Sequence, residues 1–279
     1  MILPADSHVH SEYSWDAFEG SMERTCERAV EIGLPAVAFT EHMDFTSWEV
    51  MDRHLPENAH LASMADTDGN LTPPPFDVAG YLASVERCRD RFPALRIITG
   101  VELGEPHRNG ETAARLLAAG NFERILGSLH CLPSGADRFD EPPGLFRRRE
   151  AAHVVRDYLA EIVHVVTGSD LFSVLAHIDY AVRSWPAEAG PFDPHDFEDE
   201  FRRALRALAG GGRALEVNTS LPMDPAILRW WRQEGGDAVT FGSDAHAPAG
   251  LARRFGEAVD MVEAHGFRPG HHPYDIWRA

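Results

Sequence analysis

Short apolar runs alternate with longer amphipathic stretches along most of this chain. Seven runs read as strands, at residues 2–6, 36–40, 96–101, 124–129, 172–176, 213–217 and 238–242. Most are apolar throughout, as strands covered on both faces are. Between them, apolar residues recur at helical spacing over 21–32, 78–92, 112–119, 149–167, 196–209, 224–234 and 250–265. Gly33, Pro93, Gly120 and the run Gly210-Gly211-Gly212 supply stop signals. Strands alternating with helices predict a parallel α/β arrangement, either a doubly wound sheet or a barrel. Two segments lack periodicity: 43–77, with Pro56 and three prolines at 73–75, and 131–148, with Gly135, Pro142-Pro143 and Gly144. Both follow strand ends, where long loops shape pockets and lids.

The polar residues at the strand ends choose between the two architectures. Asp6-Ser7-His8-Val9-His10 lies at the first strand. Thr40-Glu41-His42, Gly100-Val101-Glu102, Gly127-Ser128-Leu129-His130, Leu175-Ala176-His177 and Gly242-Ser243-Asp244-Ala245-His246 follow at later ones. A doubly wound sheet gathers ligands at one crevice, whereas a barrel gathers groups from nearly all its strands around one centre. Metal-capable residues follow six of the seven strands, which predicts a barrel. On a strand, residues i and i+2 face the same side, so His8 and His10 can share an ion. Asp244 and His246 repeat that spacing, and barrel closure would bring the two pairs together. Glu102 ends a buried strand, where a carboxylate is costly unless paired or ligated, and its two oxygens can bridge two cations. Mixed nitrogen and oxygen ligands suit Zn, Mn or Fe, and two ions sharing a carboxylate and a hydroxide suit hydrolysis. The chain has no P-loop, G-x-S-x-G elbow or dinucleotide glycine fingerprint.

Composition narrows the partners. The chain has 279 residues, which we read as one unit over 1–279. Its formal charge of -18, from 44 acids against 26 Lys plus Arg, argues against a nucleic-acid surface. It leaves a small phosphorylated substrate open, since bound cations offset carboxylates. Cys26, Cys88 and Cys131 are far apart and form no C-x-x-C; Cys131, beside His130, reads as a wall of the site. No basic apolar leader and no run of 18 apolar residues occurs, so the expectation is a cytoplasmic protein without a membrane span. Oligomeric state leaves no signal. His271-His272-Pro273-Tyr274, after the last helix, reads as a surface segment.

Taken in order, these motifs resemble the PHP (polymerase and histidinol phosphatase) family over residues 6 to about 265. Leu215-Glu216-Val217-Asn218-Thr219-Ser220 and Gly242-Ser243-Asp244-Ala245-His246 are similar to its histidinol-phosphate phosphatase branch. The resemblance implies a distorted (β/α)7 TIM-like barrel with three divalent or trivalent metal ions. One ion would take His8, His10, Glu102 and Asp244. Glu102 would bridge to a second, held by His130 and His177. A third would take His42, His246 and an early-loop residue, often histidine in relatives and Asp16 here. It implies phosphomonoester hydrolysis by a metal-bridging hydroxide, with Asp244 or metal-bound water protonating the leaving group. The branch also implies arginines on the phosphate, with Arg183, Arg138, Arg147 and Arg148 as candidates. Glu12, His107 and Asn218 are placed around the pocket or behind the ligands. The implied reaction converts L-histidinol phosphate to L-histidinol and phosphate. The alternatives are another small phosphomonoester or a nucleotide on the same centre, and a non-catalytic metal-binding protein. An amidohydrolase-type C–N hydrolase would want a carbamylated lysine where Glu102 stands.

Overall fold

Nearly every residue of the central strands is buried, which is what their unbroken apolar character encodes. The computed structural model describes residues 3–51, 59–136 and 138–279. Its main strands are β1 (Asp6–Val9), β2 (Ala36–Met43), β5 (Arg96–Gly104), β6 (Arg124–Ser128), β9 (Val174–Leu175), β10 (Ala214–Asn218) and β11 (Ala238–Gly242). Two short pairs, β3 (Trp48–Glu49) with β4 (Asn70–Leu71) and β7 (Leu132–Gly135) with β8 (Arg138–Asp140), belong to the long loops. A last strand, β12 (Trp277–Arg278), runs antiparallel to β11. The sheet order is β1-β2-β5-β6-β9-β10-β11-β12, with its first seven strands parallel.

The sheet curls until its ends meet. Val9 bridges in parallel to Ala245, just beyond β11. His10 N donates to Ala245 O at 2.9 Å, and Asp244 N to His8 O at 2.8 Å. The buried Asp6 latches this seam: Oδ1 accepts from Ser243 N and Oδ2 from Ala252 N, both at 2.9 Å. The architecture is therefore a distorted (β/α)7 barrel, joined at the C-terminal ends of its strands.

The helices are α1 (Met22–Glu31), α2 (Ala59–Met64), α3 (Val78–Arg91), α4 (Gly110–Leu117), α5 (Pro142–Phe146), α6 (Ala151–Gly168), α7 (Glu198–Gly210), α8 (Pro225–Gln233) and α9 (Phe255–Ala264). Ser21, Asp77, Glu150 and Asp224 cap α1, α3, α6 and α8 through their side chains, each worth about 1 kcal/mol. The longest helix, α6, buries Val154, Tyr158, Leu159, Ile162 and Val165 in the core. Its apolar stripe, like the others, covers the outside of the barrel.

Several boundaries differ from the sequence reading. The first strand spans Asp6–Val9 instead of 2–6, because Pro4 has no N–H and Ala5 N donates to Pro273 O at 3.2 Å. His8 thus sits inside the strand. β2 and β5 run beyond 36–40 and 96–101, so His42 and Glu102 pair directly across the ladder. β9 shrinks to two residues. The last helix begins at Phe255 and not at 250, since Ala252 and Arg254 are left-handed (φ 51° and 55°), which helical propagation cannot accommodate. The long loops carry structure of their own. Trp48, Val50, Leu71 and Cys131 form one apolar cluster, with Trp15, Leu61 and Phe139 packed on it, so the two loops meet over the strand ends. Pro56 lies outside the described residues. The segment around Pro273 and Tyr274 packs at the other end, against Ala5, Ala36, Ala38 and Ile98. Among the described residues no helix is long and apolar enough to cross a membrane.

Candidate metal centre

Glu102 is fully buried and has five imidazoles within 3.6 Å. His177 Nε2 lies 2.7 Å and His130 Nε2 3.3 Å from its Oε1. His42 Nδ1, His8 Nε2 and His10 Nε2 lie 3.1, 3.2 and 3.6 Å from Oε2. Across the seam, Asp244 Oδ1 is 3.2 Å from His10 Nε2 and 3.6 Å from His8 Nε2. Asp16 Oδ2 is 3.4 Å from His42 Nε2 and 3.3 Å from His246 Nε2. The barrel thus gathers His8, His10, Asp16, His42, Glu102, His130, His177, Asp244 and His246 at one place. Asp244 reaches it from a left-handed backbone (φ 54°), a conformation aspartate tolerates better than most residues.

Asp44 joins this group without having been singled out from the sequence. Its carboxylate lies 3.3 Å from His42 Nδ1 and 3.4 Å from His130 Nδ1, and Trp15 Nε1 donates to it at 3.0 Å. Gly104 makes room, since a Cβ there would collide with Asp44 Oδ1. The signal was present: His42-Met43-Asp44 repeats the i, i+2 spacing of His8 and His10.

The donor chemistry fits cations. Glu102 Oε2, Asp16 Oδ1, Asp44 Oδ1 and His42 Nδ1 are buried with no hydrogen-bond partner. Orphaned buried acceptors cost free energy that a cation would recover. Donor atoms lie within 4.8 Å of one another in four sets: His8, Glu102 and His177; His8, His10 and Asp244; His10, His42 and His246; His42, Asp44 and His130. Nitrogen and oxygen without thiolate is the donor mixture of borderline divalent ions.

A second layer holds the imidazoles in place. His8 Nδ1 is 2.8 Å from Glu216 Oε2, and Asn218 Nδ2 donates to Glu216 Oε1 at 2.7 Å. His10 Nδ1 is 2.8 Å from Ser14 Oγ, which donates to Glu41 Oε2 at 2.6 Å and accepts from His42 N at 3.0 Å. With the serine proton committed to Glu41, Ser14 accepts from His10 Nδ1–H. Both imidazoles then turn an Nε2 lone pair inward, the tautomer a metal needs. A Cβ on Gly242 would stand 2.6 Å from His8 Cβ and 2.7 Å from Glu216 Oε2, so only glycine permits this approach.

Protons do the work of cations when the site holds none. Burial disfavours charge on His8 and His130, but Glu216 and Glu102 at His8, and Glu102 and Asp44 at His130, raise both well above the usual imidazole range. Against the same burial, Asp16, Asp44 and Glu102 push His42 up to about 10. His10 goes the other way, to about 3, through burial and the neighbouring His246 and His42. Burial would raise Glu102, yet His8, His130 and His42 hold it well below the usual carboxylate range.

The remaining sequence candidates divide. Arg183 stands on the cavity with Nη2 2.6 Å from Asp244 Oδ2 and its guanidinium 5.1 Å from the Tyr180 ring. Cys131 lines the cavity, and Asn218 stands behind Glu216. The others face elsewhere. Arg138 pairs with Glu49 at 3.0 Å, and Arg148 with Asp140 at 3.0 Å and Glu49 at 3.3 Å. Arg147 is exposed and does not line the cavity. The β7–β8 hairpin and α5 turn Arg138 and Arg148 toward Glu49 of the neighbouring loop. His107 Nε2 is 2.8 Å from Glu161 on α6, and Glu12 accepts from Met22 N at the start of α1. The cavity encloses about 260 Å³ above the imidazoles, with Trp15, Trp48, Leu61 and Tyr180 on its outer walls.

Known proteins resemble this chain in sequence and in fold. A family model described as PHP domain matches residues 6–220. A Deinococcus radiodurans protein named "Probable histidinol-phosphatase" is 26% identical over 273 residues, covering 94% of this chain and 94% of its own length. A Lactococcus lactis histidinol-phosphatase is 25% identical over 251 residues, covering 86% of this chain and 83% of that one. Among solved structures, histidinol phosphate phosphatase from Lactococcus lactis subsp. lactis, complexed with Zn, L-histidinol and phosphate, superposes with a TM-score of 0.79. That match has 22% identity and covers 96% of this chain and 95% of that one, so the fold is common to both. With a family model spanning most of its length, this chain belongs to the PHP domain family.

Proposed function

We propose that this chain is a metal-dependent phosphomonoesterase that hydrolyses L-histidinol phosphate to L-histidinol and phosphate. The observation that carries the reading is Glu102, a buried carboxylate with five imidazoles within 3.6 Å. The names of the relatives support the substrate. We read residues 1–279 as one catalytic unit with three ion sites: His8, His10, Glu102 and Asp244; Glu102, His130 and His177; and His42, His246 and Asp16. Asp44 stands between the second and third. Bound ions would lower the pKa of water and offset charge on the phosphoryl oxygens.

The chain's own groups do the rest. Arg183 is placed to turn from Asp244 to a phosphoryl oxygen, where its planar fork can make charge-assisted hydrogen bonds. Asp244 is a carboxylate near neutrality: burial would raise it, but Arg183 and His8 hold it well below its usual range. It can accept the attacking water's proton and return it to the leaving oxygen as the ester P–O bond breaks. Trp15, Trp48 and Tyr180 wall off solvent from the leaving alcohol.

Kinetics of metal-loaded protein on a phosphomonoester panel test this reading. The expected result is a kcat/KM for L-histidinol phosphate at least about tenfold above generic monoesters, a difference of roughly 1.4 kcal/mol. A ratio near one removes the substrate. Absence of turnover on every phosphoester, with the ion sites filled, removes the phosphatase and leaves a metal-binding protein.

A further inference from the structure

The ion-binding floor accounts for a phosphoryl group but not for what the substrate carries beyond it. Two carboxylates that are not in the ion cluster face the outer cavity, Glu105 and Glu141. Glu105 is already satisfied: Thr46 Oγ1 donates to it, and the N–H groups of His130 and Cys131 donate at 2.7 and 2.9 Å. Glu141 differs. It stands at the turn from β8 into α5, and among the described residues no hydrogen-bond donor or ion-pair partner meets its carboxyl. Among nearby arginines, Arg138 pairs with Glu49, Arg148 with Asp140 and Arg183 with Asp244. Burial, opposed by His130 and reinforced by Asp16 and Asp44, pushes the Glu141 carboxyl up to about 7.

A half-buried carboxyl that lines the cavity without a donor is free to accept a charge-assisted hydrogen bond from a ligand. It gains most from a cation that arrives with the ligand. We propose that Glu141 is a specificity-determining residue that receives the protonated amine of the leaving alcohol. The preferred substrate class is then the phosphate ester of an amino alcohol. Its phosphoryl end lies on the ion floor and Arg183, its ammonium on Glu141, and its ring between Trp15, Trp48 and Tyr180. This deepens the phosphomonoesterase reading and rests on it for the placement of the phosphoryl end.

The test compares wild type with Glu141→Gln on a matched pair, L-histidinol phosphate and the same ester without its amine, 3-(imidazol-4-yl)propyl phosphate. Glu141→Gln keeps the shape and removes the charge. The expected result is a loss of about 30-fold in kcat/KM on the amino ester, the scale of one charge-assisted hydrogen bond, and less than about threefold on the deaminated one. Metal content stays at the wild-type level, since Glu141 is not in the ligand set. An equal loss on both esters, or none on either, overturns the proposal. Calorimetric binding of L-histidinol, with inorganic phosphate present, reads the same contact without turnover. Weaker binding to Glu141→Gln by about 30-fold supports the cation site, and equal binding overturns it. A wild type that binds L-histidinol through Glu141 yet hydrolyses no phosphoester sinks the phosphatase reading and leaves the cation site standing.

Discussion

The floor of the cavity and its mouth are built by different means. The floor is assembled from strand ends whose positions are set by parallel ladders, such as the pairing of His42 with Glu102. Most of its donors are buried, and a further layer of acids orients them. The mouth is assembled from two long loops that meet through Trp48, Leu71 and Cys131, and among the described residues it offers aromatic faces with one unengaged carboxyl. The floor constrains chemistry tightly, because each group there answers to several others. The mouth constrains selectivity, and a change there touches one contact at a time.

That contrast can be broken most directly at Glu102. Glu102→Gln should lower phosphatase activity by at least about 10³-fold and release at least one ion, as activity and elemental analysis would register. Full retention of both would remove its bridging place. Arg183→Ala comes next, with an expected fall of about 10²-fold in kcat/KM and unchanged metal content, separating phosphate binding from ion binding. Glu216→Gln changes the group behind His8, 2.8 Å from its Nδ1, and none of the proposed ion ligands themselves. It should weaken metal affinity by roughly 10- to 100-fold through the loss of His8 orientation, measured by titration against a chelator. Unaltered affinity would mean that Glu216 only fills space.

The pH dependence should be gentler and should change sign with metal. In metal-free protein His42 is raised from 6.5 to about 10. The stability it contributes is therefore complete below 6.5 and is lost as pH climbs through about 10. Metal binding must expel that proton, so metal affinity rises over the same interval. Thermal unfolding against pH, with and without a chelator, should show opposite trends, and parallel trends would refute the account. The smallest effect belongs to the rim: Arg148→Ala should leave kcat/KM within about twofold, because Arg148 is engaged with Asp140 and Glu49 away from the cavity.

The floor was largely legible in the sequence because it obeys strand arithmetic. Residues two apart share a side, and barrel closure brings the first and last pairs together, as the Val9–Ala245 bridge does. The same arithmetic reaches Asp44, which lies just past β2. Glu41 and Glu216 were harder to recognise. Each is an acid within a buried strand, and nothing local says whether such a group binds an ion, a serine or an imidazole. The mouth was nearly opaque. Its order depends on pairings between distant segments, β3 with β4 and β7 with β8, that periodicity does not record. Arg138, Arg147 and Arg148 follow His130 closely in the chain, but closeness in sequence carries no direction: Arg138 and Arg148 turn to Glu49, and Arg147 is exposed. Arg183 follows a strand-end histidine closely, and a short 3-10 turn brings it to the cavity.

The seam has a mechanical meaning. A hoop is only as strong as its clasp, and here the clasp is fastened by the amides of His10 and Asp244, whose side chains also belong to the candidate metal centre. Filling the site and locking the hoop are therefore one event. Metal loading should slow hydrogen exchange first at those two amides, before it does so at the far side of the barrel.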